Sequence, residues 1–224
     1  MNYLAHGRDC LADPWQLAGT ALPDWLRVLG RRPRVHAEDA LPHDGSADPA
    51  LRALAHGVLR HHREDAWFHT SEAFRDVGHD VAGLLRAVLP RDAGHRPRFL
   101  GHLVLEVLLD AALAEKRPGL LDAYYHALDE VDPDRLAELA TALAGADASR
   151  LGPLVRRFRE ARFLGEYASD EGVRHRLGQV LRRVRQPALP AAFLTALPPA
   201  RQAVLSRLDD LLPPPSPPPP TNSR

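Results

Sequence analysis

The sequence predicts an all-helical protein in which residues 1–212 form a single domain. Apolar residues recur at the spacing of one helix face along much of the chain, as at Leu51, Leu54 and Val58. Asp-Pro pairs that are typical of helix starts precede several of these stretches. No stretch alternates polar and apolar residues as a half-buried strand does. With 224 residues and 45% hydrophobic content, the chain can bury one sizeable core.

Three Asp-Pro pairs mark predicted helix starts, with the aspartate as N-cap and the proline at the first helical position. These pairs are Asp13-Pro14, Asp48-Pro49 and Asp132-Pro133. The helix from Pro14 is expected to be brief, because Pro23 interrupts it and residues 24–26 restart a turn before Gly30. Residues 31–47 carry two prolines, a glycine and scattered charges, which predicts a loop of the kind used as a lid or substrate-binding element.

The other helices are predicted from apolar stripes that lie between turn-forming residues. They are expected from Asp48 to about residue 70, from a Thr70 or Ser71 cap to Pro90, and over 97–115, 118–131, 133–145, 147–164, 169–185 and 199–212. The segment 97–115 is apolar on nearly every side, so we expect a central, buried helix there. The proline-rich tail 213–224 is expected to be an extended, disordered segment.

Charge and cysteine content exclude several classes of function. The chain has 29 basic and 29 acidic residues, so no global field favours nucleic acid or an anionic membrane as partner. Cys10 is the only cysteine, which excludes an intramolecular disulfide and a cysteine-based zinc site. The opening residues lack a secretory signal, and no apolar run is long enough to span a membrane. The sequence therefore predicts a soluble, cytoplasmic protein, in which any metal is held by His, Asp and Glu.

The stretch GVLRHHREDAWFHT, residues 57–70, carries the strongest chemical signal. On a helix that advances about 100° per residue, His61, Asp65 and His69 lie on one face, and His62 falls on the same arc. Imidazoles and carboxylates four residues apart can hold one divalent cation, because their side chains project from adjacent turns. The alternative is an exposed polar face without a metal.

A second cluster lies in the apolar segment FLGHLVLEVLLDAAL, where His102 and Glu106 stand four residues apart. An ionised carboxylate in such a helix is costly to bury unless it is paired or bound to a metal. A mutual His-Glu hydrogen bond, or an arginine from residues 155–162, would satisfy Glu106 without a metal. Asp110 is expected to support a ligating imidazole through the other ring nitrogen.

Two further candidates come from the first 25 residues. Asp24 follows a proline in GTALPDW, and a turn there would present its carboxylate inward, although capping the next turn is the competing explanation. His6, in the opening MNYLAH, is a weaker candidate of the same kind. The arginines of residues 156–162 can in principle bind a phosphate, but a salt-bridged helix exterior is the more common arrangement.

These motifs resemble those of the bacterial acyl-carrier-protein phosphodiesterases, all-helical metal-dependent relatives of the HD-domain phosphohydrolases. The resemblance covers about residues 1–115 and rests on MNYLAH, on Gly19 to Asp24, and on Gly57 followed by His61 and Asp65. It implies metal or catalytic roles for Asp24, His61 and Asp65, and a role for His102. His62, Phe68-His69 and Glu106 depart from the family pattern. An early His, a Pro-Asp and a later His-x-x-x-Glu are also similar to the zinc-dependent phospholipases C.

The sequence thus predicts a divalent-metal hydrolase, and more specifically a phosphodiesterase that uses metal-activated water. Its predicted metal ligands are His6, Asp24, His61, His62, Asp65, His69, His102 and Glu106, with Asp24 or Glu106 as general base. Mn, Fe or Zn would fill the site, and the resemblance suggests acyl carrier protein as substrate. A lipid phosphoesterase, a non-catalytic binding or scaffold protein, and a helical bundle with internal polar bonds are the alternatives. The number of ions and the oligomeric state are left open.

Overall fold

The computed structural model describes residues 1–90 and 94–214, and every regular element in this part of the chain is a helix, with no β-strand. The polyproline segment expected at the end of the chain lies outside the described residues from position 215 onward. No helix within the described ranges combines the length and apolar character needed to cross a bilayer. The helices are α1 Tyr3–Gly7, α2 Pro14–Leu29, α3 Ala37–Ala40, α4 Pro49–Thr70, α5 Glu72–Val88, α6 Pro97–Lys116, α7 Leu120–Asp129, α8 Pro133–Ala144, α9 Leu151–Ala161, α10 Asp170–Arg183 and α11 Phe193–Ser206.

The three Asp-Pro pairs start helices as predicted. The carboxylates of Asp13, Asp48 and Asp132 each accept hydrogen bonds from two backbone N–H groups of the following first turn. Ser71 caps α5 by accepting from the N–H of Phe74, which settles the choice between Ser71 and Thr70. These helix starts could be predicted from the sequence because each depends only on residues adjacent in the chain.

The prediction of a brief helix ending at Pro23 was wrong, because α2 continues through this residue to Leu29. A proline inside a helix removes only one N–H donor, and its cost is offset where the flanking turns are well packed. Leu22, Trp25 and Leu26 are all fully buried around it. As a result Asp24 projects from the side of a continuous helix rather than from a turn.

Three other predicted segments also differ from the structure. The predicted loop 31–47 contains the short helix α3 and a 3-10 turn at Leu41–His43. The last long helix begins at Phe193 rather than at 199, and it includes Pro198 and Pro199. Burial of Phe193 and Leu197 stabilises this early start, and burial depends on contacts that are distant in sequence. The predicted helix 147–164 is α9 followed by a 3-10 segment at Phe163–Ala168.

Helix α6 lies at the centre of the domain, as its apolar sequence predicted. Eleven of its twenty residues are buried, and it contacts α1, α5, α7, α10 and α11. Helices α2 and α4 form the most extensive helix pair and pack beside it through α1. This arrangement places the polar residues of α4 and α6 next to the short helix α1.

Glycines allow α2 and α4 to cross at backbone contact distance. A Cβ atom on Gly57 would lie 2.6 Å from the Cα of Gly19 and would overlap the carbonyl oxygen of Gln16. A Cβ on Gly19 would in turn lie 2.9 Å from the Cα of Gly57. Any larger residue at either position therefore forces the two helix backbones apart, including the turn of α4 that carries His61.

Substitution of Gly57 by alanine is expected to lower the free energy of unfolding by about 1–3 kcal/mol, because the new methyl group meets backbone atoms that cannot rotate away. Denaturant unfolding followed by circular dichroism measures this change.

The matched control is Gly83→Ala in α5, where a Cβ meets nothing within 4 Å. Alanine there is expected to stabilise the helix by about 0.5–1 kcal/mol through lower backbone entropy. Equal effects of the two substitutions would contradict the close crossing.

Candidate metal centre

The first group of candidate ligands joins α1 to α4 and consists of His6, His61 and Asp65. One ligand atom from each residue lies within 4.8 Å of the others. Nε2 of His6 is 3.2 Å from Oδ1 of Asp65, and Nε2 of His61 is 3.6 Å from Oδ2 of the same carboxylate. The two imidazole rings stack with centroids 4.2 Å apart, so both nitrogens approach the carboxylate from the same side.

The second group joins α4 to α6 and consists of His69, His102 and Glu106. Nε2 of His69 is 3.3 Å from Nε2 of His102, and these nitrogens are 3.7 Å and 3.0 Å from Oε1 of Glu106. Bond lengths of 2.0–2.1 Å in a tetrahedral zinc site place neighbouring ligand atoms about 3.3 Å apart. The three separations bracket that value, so the triangle has the size of one face of a metal tetrahedron.

Solvent access differs between the two groups. The His69 and His102 side chains are 36% and 37% exposed, whereas that of His61 is 5% exposed. Catalytic metal sites with two histidines and a glutamate leave a further position for water or substrate. The second group has this open character, and the first has the closed character of a buried site.

A cationic group already occupies the space between the two groups. The α-amino nitrogen of Met1 lies 2.6 Å from Oδ1 of Asp65 and 3.2 Å from Oε1 of Glu106. The two carboxylates therefore face one another closely enough to share a single positive charge. Such an arrangement requires a cation, because unpaired carboxylates in a half-buried cleft repel each other.

Partners outside the two groups orient the histidines of the first group. Nδ1 of His61 donates to the carbonyl oxygen of Thr20 over 2.8 Å, which leaves the lone pair of a neutral ring on Nε2. Nδ1 of His6 lies 3.1 Å from Oε2 of Glu64, a buried carboxylate that also pairs with Arg60. These contacts direct both Nε2 atoms at Asp65, which is how histidine ligands are commonly fixed in metal sites.

The electrostatics favour the metal-binding protonation states of His61, Asp65 and Glu106, but not that of His6. Burial alone would lower the pKa of His6, but its hydrogen bonds to Asp65 and Glu64 raise it. Burial, aided by the nearby His6, lowers the pKa of His61 well below its usual value, so this ring is neutral at pH 7. Burial alone would raise the pKa of Asp65, but hydrogen bonding to His6 and the Met1 ammonium lower it. The same ammonium, with His102 and His69, lowers the pKa of Glu106 against the effect of burial. Both carboxylates are therefore ionised.

Two predicted ligands lie outside both groups. His62 projects about 100° around α4 from His61, and its Nε2 donates to the carbonyl oxygen of Val35 over 3.1 Å. Asp24 is half-buried on α2, where burial raises its pKa to about 6 and the charges of His6 and Glu106 act on it. A carboxylate that titrates near neutrality suits a general base, so that role of Asp24 stays a prediction.

The expectation for Asp110 was wrong, because this carboxylate supports a backbone rather than an imidazole. Its two oxygens accept hydrogen bonds from the N–H groups of Leu4 and Ala5 over 3.1 and 2.8 Å. Asp110 on α6 thus accepts hydrogen bonds from N–H groups at the N-terminus of α1. This contact places His6 one turn away from α6. The N–H groups in the first turn of a helix need an acceptor, and the acceptor for α1 lies 105 positions away in the sequence.

One of the two metal-free alternatives for Glu106 is present in the structure. His102 and Glu106 form the mutual hydrogen bond that would satisfy the carboxylate without a cation. The arginines of α9 and its C-terminus instead form surface contacts, with Arg156 pairing with Asp134 and Arg162 pairing with Asp122. They belong to a salt-bridged helix exterior and not to a phosphate site.

Sequence reasoning missed Glu64 and the carbonyl of Thr20. Glu64 had one usable signal, since Arg60 stands four residues before it and forms a 2.8 Å ion pair on the same helix. Backbone carbonyls carry no residue identity, so the Thr20 contact had no signal in the sequence.

No protein-family model matches this chain, and no curated protein or solved structure matches it significantly.

The Asp110 contact predicts a pH-dependent stability. Burial raises the pKa of Asp110 to about 7 from a usual value of 3.8. Between these values the folded state keeps a proton that the unfolded chain has lost, so the stability from neutral Asp110 is lost as pH rises from about 4 to about 7. The free energy of unfolding of the parent protein should fall relative to that of Asp110→Asn over this range.

Urea unfolding of both proteins at half-unit pH steps, with chelator present, measures the difference. The surface variant Asp122→Asn serves as control, since the exposed pair with Arg162 contributes about 0–1 kcal/mol. A difference between parent and Asp110→Asn that does not change with pH would show that Asp110 is ionised throughout.

Proposed function

We propose that this protein is a metal-dependent hydrolase and, specifically, a phosphodiesterase that uses metal-activated water. One observation carries the proposal: three helices bring two His/carboxylate groups together, with Asp65 and Glu106 facing a common cationic position. Each of the four histidines in the two groups faces one of these carboxylates with its Nε2 atom. The rings of His6 and His61 are also oriented by buried partners of their Nδ1 atoms. Such an outer shell is expected of a metal site and unnecessary for an exposed polar face.

The chemistry follows from the ligand set. A divalent ion held by histidine and carboxylate lowers the pKa of bound water toward neutrality and neutralises charge on phosphoryl oxygens. The half-exposed second group is where water and substrate have access. Asp24, whose pKa burial raises to about 6, is the general base of this proposal.

The types of ligand limit which metal ions are expected at the site. Imidazole and carboxylate ligands without cysteine suit Mn, Fe or Zn. The ligand atoms of the second group have the separations of one face of a tetrahedron, which suits Zn in particular. Two adjacent groups also allow two ions, a common arrangement in enzymes that cleave phosphoesters. The carrier-protein substrate rests on sequence resemblance alone and is a finer part of the proposal.

The deciding experiment measures bound metal and turnover together. The chain is purified without a polyhistidine tag, its Mn, Fe and Zn content is measured by mass spectrometry, and hydrolysis of bis(p-nitrophenyl) phosphate is followed before and after chelation. We expect stoichiometric metal and activity that chelator removes and metal restores.

Ligand variants connect the activity to the site. His102→Ala and His61→Ala are each expected to lower turnover at least ~100-fold and to reduce metal content, because each removes a direct ligand. His126→Ala is the control, since this histidine is 84% exposed and distant from both groups.

A metal-free protein that gains no turnover on metal addition would overturn the proposal and favour a binding or scaffold role. If His61→Ala and His102→Ala lower stability without changing metal content, the cluster is internal hydrogen bonding. Both results can be read from the same preparations by adding a thermal unfolding measurement.

A further inference from the structure

The two candidate groups differ in what orients their histidines. In the first group, Nδ1 of each imidazole bonds a protein acceptor. In the second group, His69 and His102 make their polar contacts through Nε2, and no protein group within residues 1–90 and 94–214 bonds Nδ1 of either ring. Histidine ligands of metals are commonly fixed through the nitrogen that does not bind the ion. The second group therefore lacks the polar outer shell of the first.

Phe74 contacts both rings of the second group. Its ring centroid lies 5.2 Å from that of His69 and 5.1 Å from that of His102, and its plane is nearly perpendicular to theirs, at 88° and 81°. The two imidazoles stack on each other with centroids 4.9 Å apart, so the three rings form a nearly equilateral triangle. A perpendicular contact at about 4.5–7 Å is a preferred arrangement of aromatic rings. Rotation of either imidazole therefore loses a favourable contact with Phe74.

The junction of α4 and α5 holds Phe74 beside this pair. Ser71 is the only residue between the two helices, and its hydroxyl oxygen accepts a hydrogen bond from the N–H of Phe74. The first turn of α5 thus directly follows the last turn of α4, which carries His69. Phe74 also packs on the fully buried Phe68, with ring centroids 4.8 Å apart. A helix cap and a buried aromatic contact therefore fix the ring that meets the two histidines.

We infer that Phe74 is the positioning residue of the second group: its ring fixes the His69 and His102 imidazoles with both Nε2 atoms directed at Glu106. The inference rests on the proposed function and deepens it, because it names what orders the ligands at the group to which water and substrate have access. An ion that binds there meets two rings that are already in place. Ligands that are ordered before binding raise the affinity, since their freedom is not lost on binding.

The first test detects ring order in the chelated protein and needs neither metal nor turnover. The parent is expected to show a nuclear Overhauser effect between the imidazole protons of His69 and His102, because the two rings stack. Phe74→Leu should lose this effect as the rings adopt several rotamers, whereas Phe74→Tyr keeps an aromatic ring and should retain it. Phe163→Leu is the matched control, since Phe163 is also half-buried and its ring contacts in the described part of the chain include no histidine.

Melting temperatures distinguish positioning from a general loss of stability. Phe74→Leu and Phe163→Leu each shorten a half-buried aromatic side chain, so both should lower the melting temperature by a similar amount, while only the first removes the Overhauser effect. Phe74→Met repeats the measurement with another apolar side chain if the leucine variant does not fold. An effect that is absent in the parent, or that persists in Phe74→Leu, would overturn the inference.

The second test measures zinc affinity at this group. The imidazole signals of His69 and His102 are followed in chelator-buffered zinc solutions, so the reading is specific to the second group. We expect Phe74→Leu to weaken zinc binding by about 10-fold or more, the usual effect of losing a contact that orients a ligand. Phe74→Tyr and Phe163→Leu should keep the parental affinity.

The inference and the proposed function can fail separately. If zinc does not bind and turnover is absent, but Phe74→Leu loses the Overhauser effect, the proposed function fails while the positioning role of Phe74 stands. If turnover is metal-dependent and Phe74→Leu keeps the parental zinc affinity, the inference fails and the proposed function stands.

Discussion

The close crossing of α2 and α4 at Gly19 and Gly57 is the constraint on which the candidate site depends. Only backbone atoms occupy this contact, so the distance between the helices is set without side-chain adjustment. His61 lies one turn beyond Gly57 and reaches the carbonyl of Thr20, the residue after Gly19. The same two turns therefore fix both the helix packing and the orientation of one imidazole. A wider crossing would break that hydrogen bond and free the ring to rotate.

A second constraint fixes the other side of the cluster. Helix α1 has only five residues and is too short to be stable alone. It is held by Asp110, which accepts its N-terminal donors, and by Glu64, which binds the ring of His6. Two buried carboxylates from α6 and α4 thus position a histidine on a weak element. The candidate metal centre is assembled by polar contacts between helices and not by any one helix face.

Charge balance connects structure to the proposed chemistry. Asp65 and Glu106 are ionised and face one another across a shared cationic position, which the Met1 ammonium fills. His61 keeps its Nε2 lone pair, so the site offers negative charge together with one neutral imidazole donor of the kind that a divalent ion requires. These ligand groups are the features on which the proposed hydrolase function rests.

The sequence by itself determined most of the long helices, the three Asp-Pro caps and the central position of α6, because these depend on periodicity and on neighbouring residues. It did not determine that α2 continues through Pro23 or that α11 begins at Phe193. It also determined that His61, Asp65 and His69 share a face of α4, and that His102 and Glu106 lie one turn apart on α6. Only the tertiary structure decided that α4 divides its ligands between two groups, that His62 faces Val35, and that Asp110 caps α1. These outcomes depend on which helices meet and at what distance. A contact between residues 106 positions apart, such as that of Leu4 with Asp110, cannot be predicted from the periodicity of the sequence.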